Sequence, residues 1–179
     1  MVIPDTVTHI SRFAFAHCIS LETVNLPTSL YAIEQYAFFD CPRLQGLRLP
    51  EHLAIIEERA FCGCDAITDI TIPESCTSVG DYAFLDCDSL YRVGIQGDAQ
   101  LGLRSFGYRY RSGYQLQPGF VIDSDSPTAI SYGKENGIRM QLEFVPGDVN
   151  SDGQLNVADV VLLQRWLLAV PDTMLADWQ

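Results

Sequence analysis

LPTSLYAIEQYAFFDCPRLQGLR, residues 26–48, is one of four copies of a 23-residue unit occupying residues 3–25, 26–48, 49–71 and 72–94, with no insertion or deletion between them. Ile3, Leu26, Leu49 and Ile72 open the units, and each is followed by proline. Next come Ile10, Ile33, Ile56 and Val79, then the pairs Ala14-Phe15, Ala37-Phe38, Ala60-Phe61 and Ala83-Phe84, then Cys18, Cys41, Cys64 and Cys87. The units close on Leu21, Leu44, Ile67 and Leu90, followed by Val24, Leu47, Ile70 and Val93. So short a unit cannot bury its own apolar edge, whereas stacked copies align each position into a ladder and supply one another's core. The spacing therefore predicts a solenoid with a strand over residues 21–26 and their equivalents. The Ala-Phe pair falls on the opposite side, in a short helical or irregular turn where Phe fills the interior and Ala allows close approach.

A period of roughly 20 to 29 residues around an L-x-x-L-x-L core is the signature of a leucine-rich repeat. The pattern I-P-x-x-[VL]-x-x-I-x-x-x-A-F-x-x-C-x-x-L-x-x-[VL] resembles the BspA-like leucine-rich repeats of bacterial surface and secreted proteins. The resemblance covers residues 3–94, with Cys76 in place of the usual Val or Leu and Arg59 in place of an aromatic. After Gly94 the period fails, and residues 95–145 read as a C-terminal cap. This part is rich in Tyr and Gly up to Pro118, then runs through Phe120-Val-Ile122, a helical stretch at 126–137 and a last strand at 138–145. Its GFVIDSDSPTAISYGKENGIRM resembles the closing unit of the same family, in which a small helix covers the open end, as a repeat array requires. Pro146-Gly147 marks the boundary to the rest of the chain.

Beyond that boundary, DVNSDGQLNVAD at 148–159 places oxygen-bearing side chains at every second position around Gly153. A calcium ion takes about six to eight oxygens, and a twelve-residue loop delivers them from its first, third, fifth, seventh, ninth and twelfth positions, with glycine at the sixth. The spacing assigns Asp148, Asn150 and Asp152, the backbone carbonyl of Gln154, Asn156 directly or through water, and Asp159 as the closing carboxylate. An acidic turn in which Asn156 merely caps the next helix needs a single oxygen, whereas five side chains stand here at the ligand spacing. The twelfth residue is Asp where an EF-hand has Glu, one methylene longer. In the run that follows, Val160, Leu163 and Leu167 share one helical face, and Val157, Val161 and Leu168 form a second, interrupted by Gln164 and Arg165. A helix apolar on two sides needs two surfaces to cover it.

GDVNSDGQLNVADVVLLQRWLL resembles the first half of a dockerin, the module that attaches secreted bacterial proteins to cohesins on cellulosomal scaffolds. The match covers residues 147–169 and includes that family's Asp at the twelfth loop position. It implies Ca2+ ligation by Asp148, Asn150, Asp152, Gln154, Asn156 and Asp159, and cohesin contact through Val157, Ala158, Val161, Gln164, Arg165 and Leu168. Many dockerins carry hydroxyls at the first two contact positions; Val157-Ala158 implies an apolar contact and a different class of cohesin. Dockerins duplicate the loop and helix, and the chain reaches Gln179 about where a second loop would begin. The face of Val160, Leu163 and Leu167 then needs another cover, to which the preceding domain, Trp166 and Trp178 are expected to contribute. The expected architecture is an α/β solenoid of repeats (1–94) with its cap (95–145), followed by a small all-α calcium-binding dockerin-like loop-helix module (146–179).

A net charge of -12 without a basic patch argues against nucleic acid or anionic membrane as partners. No apolar run approaches the roughly 18 residues of a membrane span. The chain opens at a repeat boundary without a signal peptide and reads as an excised piece of a longer secreted protein. Of six cysteines, four share one repeat position and are expected as buried thiols; Cys62-Gly-Cys64 is too close for the usual zinc or redox spacing. His9, His17 and His52 form no ligand pattern with them. No acid pair, nucleophile motif or phosphate loop stands out, so the expectation is a non-catalytic, extracellular or cell-surface bacterial protein, linked to polysaccharide breakdown only through its partners. The alternatives are a calcium-stabilised adhesin in which the repeats bind, and an accessory fragment of a polysaccharide-degrading enzyme. The outward strand row would be Thr23, Asn25, Gly46, Arg48, Asp69, Thr71, Arg92 and Gly94, which lacks aromatics. Tyr108, Tyr110 and Tyr114 offer a second surface, although packing in the cap suits a residue that buries its ring and keeps its hydroxyl wet.

Overall fold

Two residues per turn with left-handed backbone decide what the Ala-Phe segment becomes. In the computed structural model, which describes residues 1–141, Phe13, Tyr36, Arg59 and Tyr82 have φ between 51° and 59°, and His17, Asp40 and Asp86 between 55° and 58°. Gly63, at 77°, takes the second place in the third turn. A left-handed residue cannot continue a right-handed helix and costs a bulky side chain about 1–2 kcal/mol. The segment is therefore an irregular corner, held to the next turn by backbone bonds. Phe13 N–H donates to Gln35 O at 3.2 Å, Phe15 N–H to Ala37 O at 2.8 Å and His17 N–H to Phe39 O at 2.7 Å, and the set recurs from Tyr36, Phe38 and Asp40.

The elements in chain order are β1 (His9–Ile10), β2 (Ala32–Ile33), β3 (Ile55–Ile56), β4 (Asp69–Ile72), β5 (Ser78–Val79), β6 (Arg92–Ile95), β7 (Gln100–Leu101), β8 (Tyr108–Tyr110), β9 (Tyr114–Leu116), β10 (Val121–Asp123), α1 (Pro127–Asn136) and β11 (Arg139–Gln141). Two parallel sheets run along the stack, one in the order β1-β2-β3-β5-β7 and the other β4-β6-β10-β11, while β8 and β9 form an antiparallel hairpin. The strand expected at 21–26 and its equivalents is present as β4 and β6; the first turns contribute there a single bridge, Val2 to Asn25. The short strands at the Ile10 position were not foreseen as a second sheet.

Two expectations are corrected. The period does not fail at Gly94: Val79 pairs with Leu101 and Phe84 stacks on Phe106, so a fifth turn follows at a spacing of 22. A single dropped residue hides it from a strict 23-residue register. The solenoid is not α/β within its repeats, for α1 is the only α-helix among the described residues and belongs to the cap. Residues 142–145 of the expected last strand and the whole calcium module at 146–179 lie outside the described residues.

Phe15, Phe38, Phe61, Phe84 and Phe106 form one stack with centroid spacings of 5.0, 5.2, 5.1 and 5.2 Å and interplanar angles no greater than 22°. Beside it, the thiols of Cys41, Cys64 and Cys87 donate to the carbonyls of Phe15, Phe38 and Phe61 at 3.1, 3.1 and 3.2 Å. The lid is α1. Its N-cap Ser126 accepts from Ala129 N–H and donates to Asp98 Oδ1 at 2.7 Å, and Gly137 closes it with φ 65°. Tyr132 on α1 meets Phe106 edge-on at 6.5 Å, and its hydroxyl accepts from Phe106 N–H. The hairpin β8–β9 leaves the stack between Gly107 and Gln117 and is closed at its base by Gln117 N–H on Gly107 O at 2.7 Å. Gly107 has φ 74°, and a Cβ there would sit 2.4 Å from the ring of Phe120.

Phe61→Ala, at the centre of the stack, should cost about 3–5 kcal/mol, read from urea denaturation. A thiol reagent should label the half-buried Cys18 rapidly in the native protein and the buried Cys41, Cys62, Cys64, Cys76 and Cys87 only after unfolding. Burial pushes the Cys62 thiol up to about 12 and raises Cys76 and Cys87 in the same sense. Unfolded thiols ionise near about 8.5, so above that pH the unfolded chain holds fewer protons than the native one and stability falls as pH rises. Urea midpoints should be insensitive to the thiols below about pH 8 and decline above it, and Cys62→Ala should make the decline shallower.

Candidate functional site

Successive side chains of a strand point to opposite faces, so the inward Val24, Leu47, Ile70 and Val93 force their neighbours out. Thr23, Asn25, Gly46, Arg48, Asp69, Thr71 and Arg92 are exposed and Gly94 is half-buried, as the sequence row requires. Strand pairing extends that row onto the cap. Asp69 pairs with Arg92, Arg92 with Val121 and Val121 with Arg139, while Thr71, Gly94, Asp123 and Gln141 follow in the next register position. Arg92 is bound to Asp123, which raises the Arg92 guanidinium's pKa. A shallow depression of about 390 Å3 opens beside Gly46, lined by Arg48, Glu51, Asp69, Thr71 and Gln96. Among the described residues, Arg48, Glu51 and Asp69 make no ion pair with one another, leaving donors and acceptors for a polar ligand.

A second surface runs along the corners. The left-handed position carries Phe13, Tyr36, Arg59 and Tyr82 before the four Ala-Phe pairs and, at the shorter spacing, Arg104 before Ser105-Phe106. Phe13 stacks on Tyr36 at 5.0 Å. The guanidinium of Arg59 lies 5.8 Å from the Tyr36 ring and 4.8 Å from that of Tyr82, and Arg104 lies 4.4 Å from that of Tyr114. Tyr114 stacks on Tyr82 at 5.5 Å, with Tyr110 edge-on to it at 5.0 Å. The arginine that breaks the aromatic pattern at 59 thus fills its place by cation–π contact, and donates to Tyr36 Oη at 2.8 Å. Because the rings cover one another's faces, the column turns edges to solvent and gives no flat platform for a sugar. Of the three hairpin tyrosines, Tyr108 packs on the cap, its hydroxyl donating to Asn136 Oδ1 at 3.0 Å. Tyr110 and Tyr114 belong to the column, 53% and 39% exposed.

Among the described residues no cluster of His, Cys, Asp and Glu suits a metal ion, and no helix is long and apolar enough to cross a membrane. His17 Nδ1 meets Asp40 Oδ2 at 3.0 Å on the surface, tying adjacent turns. The proposed calcium ligands at 148–159 and the cohesin contacts at 157–168 lie outside the described residues. Sequence reasoning missed the extent of the Arg and aromatic column, although its period was legible in Phe13, Tyr36 and Tyr82, each immediately before an Ala-Phe pair.

The family described as BspA type leucine rich repeat region matches residues 1–110, in six copies. Among solved structures, a leucine-rich repeat protein of T. pallidum is similar at 26% identity and a TM-score of 0.59, over 69% of this chain and 57% of that one. A leucine rich cell surface protein of Faecalibacterium prausnitzii has the same fold at 24% identity and a TM-score of 0.50, over 69% and 48%. A leucine-rich repeat protein of Bacteroides ovatus matches at 23% identity and a TM-score of 0.47, over 80% and 51%. The chain spans about half the length of these structures. No curated protein matches it.

Arg59→Ala should destabilise the repeats by about 1–2 kcal/mol through the lost ring contacts and hydrogen bonds. Arg59→Tyr, which restores the aromatic, should fall within about 0.5 kcal/mol of the parent protein; both follow from denaturation midpoints.

Proposed function

The chain belongs to the BspA-type leucine-rich repeat family, and on that premise we propose that it is a non-catalytic binding protein of the bacterial cell exterior whose last segment attaches it to a cohesin in a calcium-dependent way. The observation that carries the attachment is the ligand spacing at 148–159, where Asp148, Asn150, Asp152, Asn156 and Asp159 stand at the positions a calcium loop fills with side-chain oxygens and Gln154 at the one it fills with a carbonyl. On this reading, holding these acids around one ion relieves their mutual repulsion, and Val157, Ala158, Val161, Gln164, Arg165 and Leu168 meet the partner, as the resemblance to dockerins implies. The resemblance to dockerins supports this reading, and with it a role beside polysaccharide-degrading enzymes.

A second reading rests on the sheet face of the repeats. The depression at Gly46 offers Arg48, Glu51, Asp69 and Thr71 to a ligand, as expected of an adhesin in which the repeats bind and the calcium loop is an end piece. Titration calorimetry of the chain against a panel of bacterial cohesins separates the two. Binding in millimolar calcium that disappears with chelator, and is abolished by Val161→Glu together with Leu168→Glu, supports attachment. Heat from calcium alone, with no cohesin bound, leaves the adhesin reading. Asp148→Ala should weaken calcium binding at least about tenfold.

A further inference from the structure

The depression beside Gly46 does not end at Gln96. A second one of about 540 Å3, lined by Glu51, Pro73, Glu74, Ser75 and Gln96, shares Glu51, Pro73 and Gln96 with the first, so the two form one groove across the second, third and fourth turns. All three turns have a neighbouring turn on either side, so the groove is not an open end of the array. It lies over a gap in the sheet. The pairing that joins β11, β10, β6 and β4 stops at β4, and among the described residues no backbone hydrogen bond links residues 46–49 to residues 69–72. Gly46, with φ 60° and open space where a Cβ would stand, keeps the rim low. Below it the floor is apolar, with Leu47, Ile70 and Pro73 buried.

Charge is sorted along the groove. At the Gly46 end stands Arg48, with Thr71 and with Asp69, which has Arg92 opposite it on β6. The other end holds Glu51 and Glu74 and no cation. These two glutamates occupy the same place in successive units, and like charges opposite one another on adjacent strands repel. Among the described residues neither they nor Arg48 make an ion pair. The same place in the next unit is Gly97, where a Cβ would lie 2.6 Å from the Glu74 carbonyl oxygen, so no further side chain stands in that row. A cation seated between Glu51 and Glu74 relieves their repulsion, and a carboxylate suits the planar fork of Arg48. The lining includes no aromatic ring on which a sugar could stack, and a simple polyamine would be repelled by Arg48. A peptide meets every demand, with amides for Thr71 and Gln96 and side chains of both charges. On the reading in which the repeats bind, we infer that the groove holds an extended segment of a partner protein, with an acidic side chain on Arg48 and a lysine or arginine between Glu51 and Glu74.

Selection of random peptides displayed on phage against the full chain, followed by fluorescence anisotropy of the synthetic peptides, tests this. The expected result is a set of peptides that carry Lys or Arg together with Asp or Glu and bind more weakly as salt rises. Their dissociation constants should rise at least about tenfold with Glu51→Gln plus Glu74→Gln, and again with Arg48→Gln. All three side chains are exposed, so the thermal midpoints of these variants should match that of the parent chain. Peptides that bind without regard to charge but are lost with Thr71→Arg, which fills the groove, would overturn the inference while leaving the sheet face as the binding surface. Failure to select any peptide would overturn it equally and leave that face to another class of ligand. Peptides indifferent to every one of these substitutions would sink both the inference and the reading it rests on.

Discussion

Everything in the repeat unit depends on five phenylalanine rings lying one above another at about 5 Å. Each ring pair contributes only about 0.5–1.5 kcal/mol beyond the area it buries, but the stack also fixes the register of everything around it. With each Phe set over the last, the Cys thiol of one turn reaches the Phe carbonyl of the turn before. The small residue beside each ring, Ala in four turns and Ser105 in the fifth, lets the backbones close to hydrogen-bonding distance, and the left-handed residues on either side of each Ala-Phe pair are held by those bonds. The cap continues the same logic, as Tyr132 ends the stack with a ring turned on edge and a hydroxyl that takes up a backbone donor of the last turn.

Much of this was legible in the sequence because it is periodic. The inward ladder, the outward strand row and the cap helix bounded by Ser126 and Gly137 all follow from residue spacing and cap chemistry. What was not legible lacks either period or side-chain signal. Left-handed backbone at Phe13, Tyr36 and Arg59 has no sequence mark, since these residues ordinarily avoid that region, and it is what decides for the irregular turn over the short helical one, both of which the spacing allowed. The fifth turn was hidden by one residue missing before Gln100, and the pairing of β10 with β6 by the hairpin between them. The pairing of Arg92 with Asp123 joins two such segments, and no fixed interval announces it.

Arg59 illustrates how a ladder tolerates exceptions. A guanidinium is flat and weakly hydrated, so between two tyrosine rings it occupies nearly the place of a third. The same position in the fifth turn is again arginine, Arg104, set against Tyr114 of the hairpin. Alternation of charge and ring keeps this edge wet at its rim while its stacked faces stay dry. The sheet face is different in kind, with a glycine opening at Gly46 and, beside it, Arg48, Glu51 and Asp69 making no ion pair with one another among the described residues. Recognition of a polar ligand fits that face better than it fits the column.

The hairpin β8–β9 interrupts the array without disturbing it, since Phe106 keeps its place in the stack and β10 takes up the sheet beside β6 as though nothing lay between. Its base is closed by a backbone bond and its flank is moored by Arg111 to Asp88. The corner between Gly107 and Gln117 is thus an insertion port. Foreign peptide grafted at the tip, around Ser112-Gly113, would be displayed from a rigid stem, and variation in length there would alter what the protein presents without altering the spine that carries it.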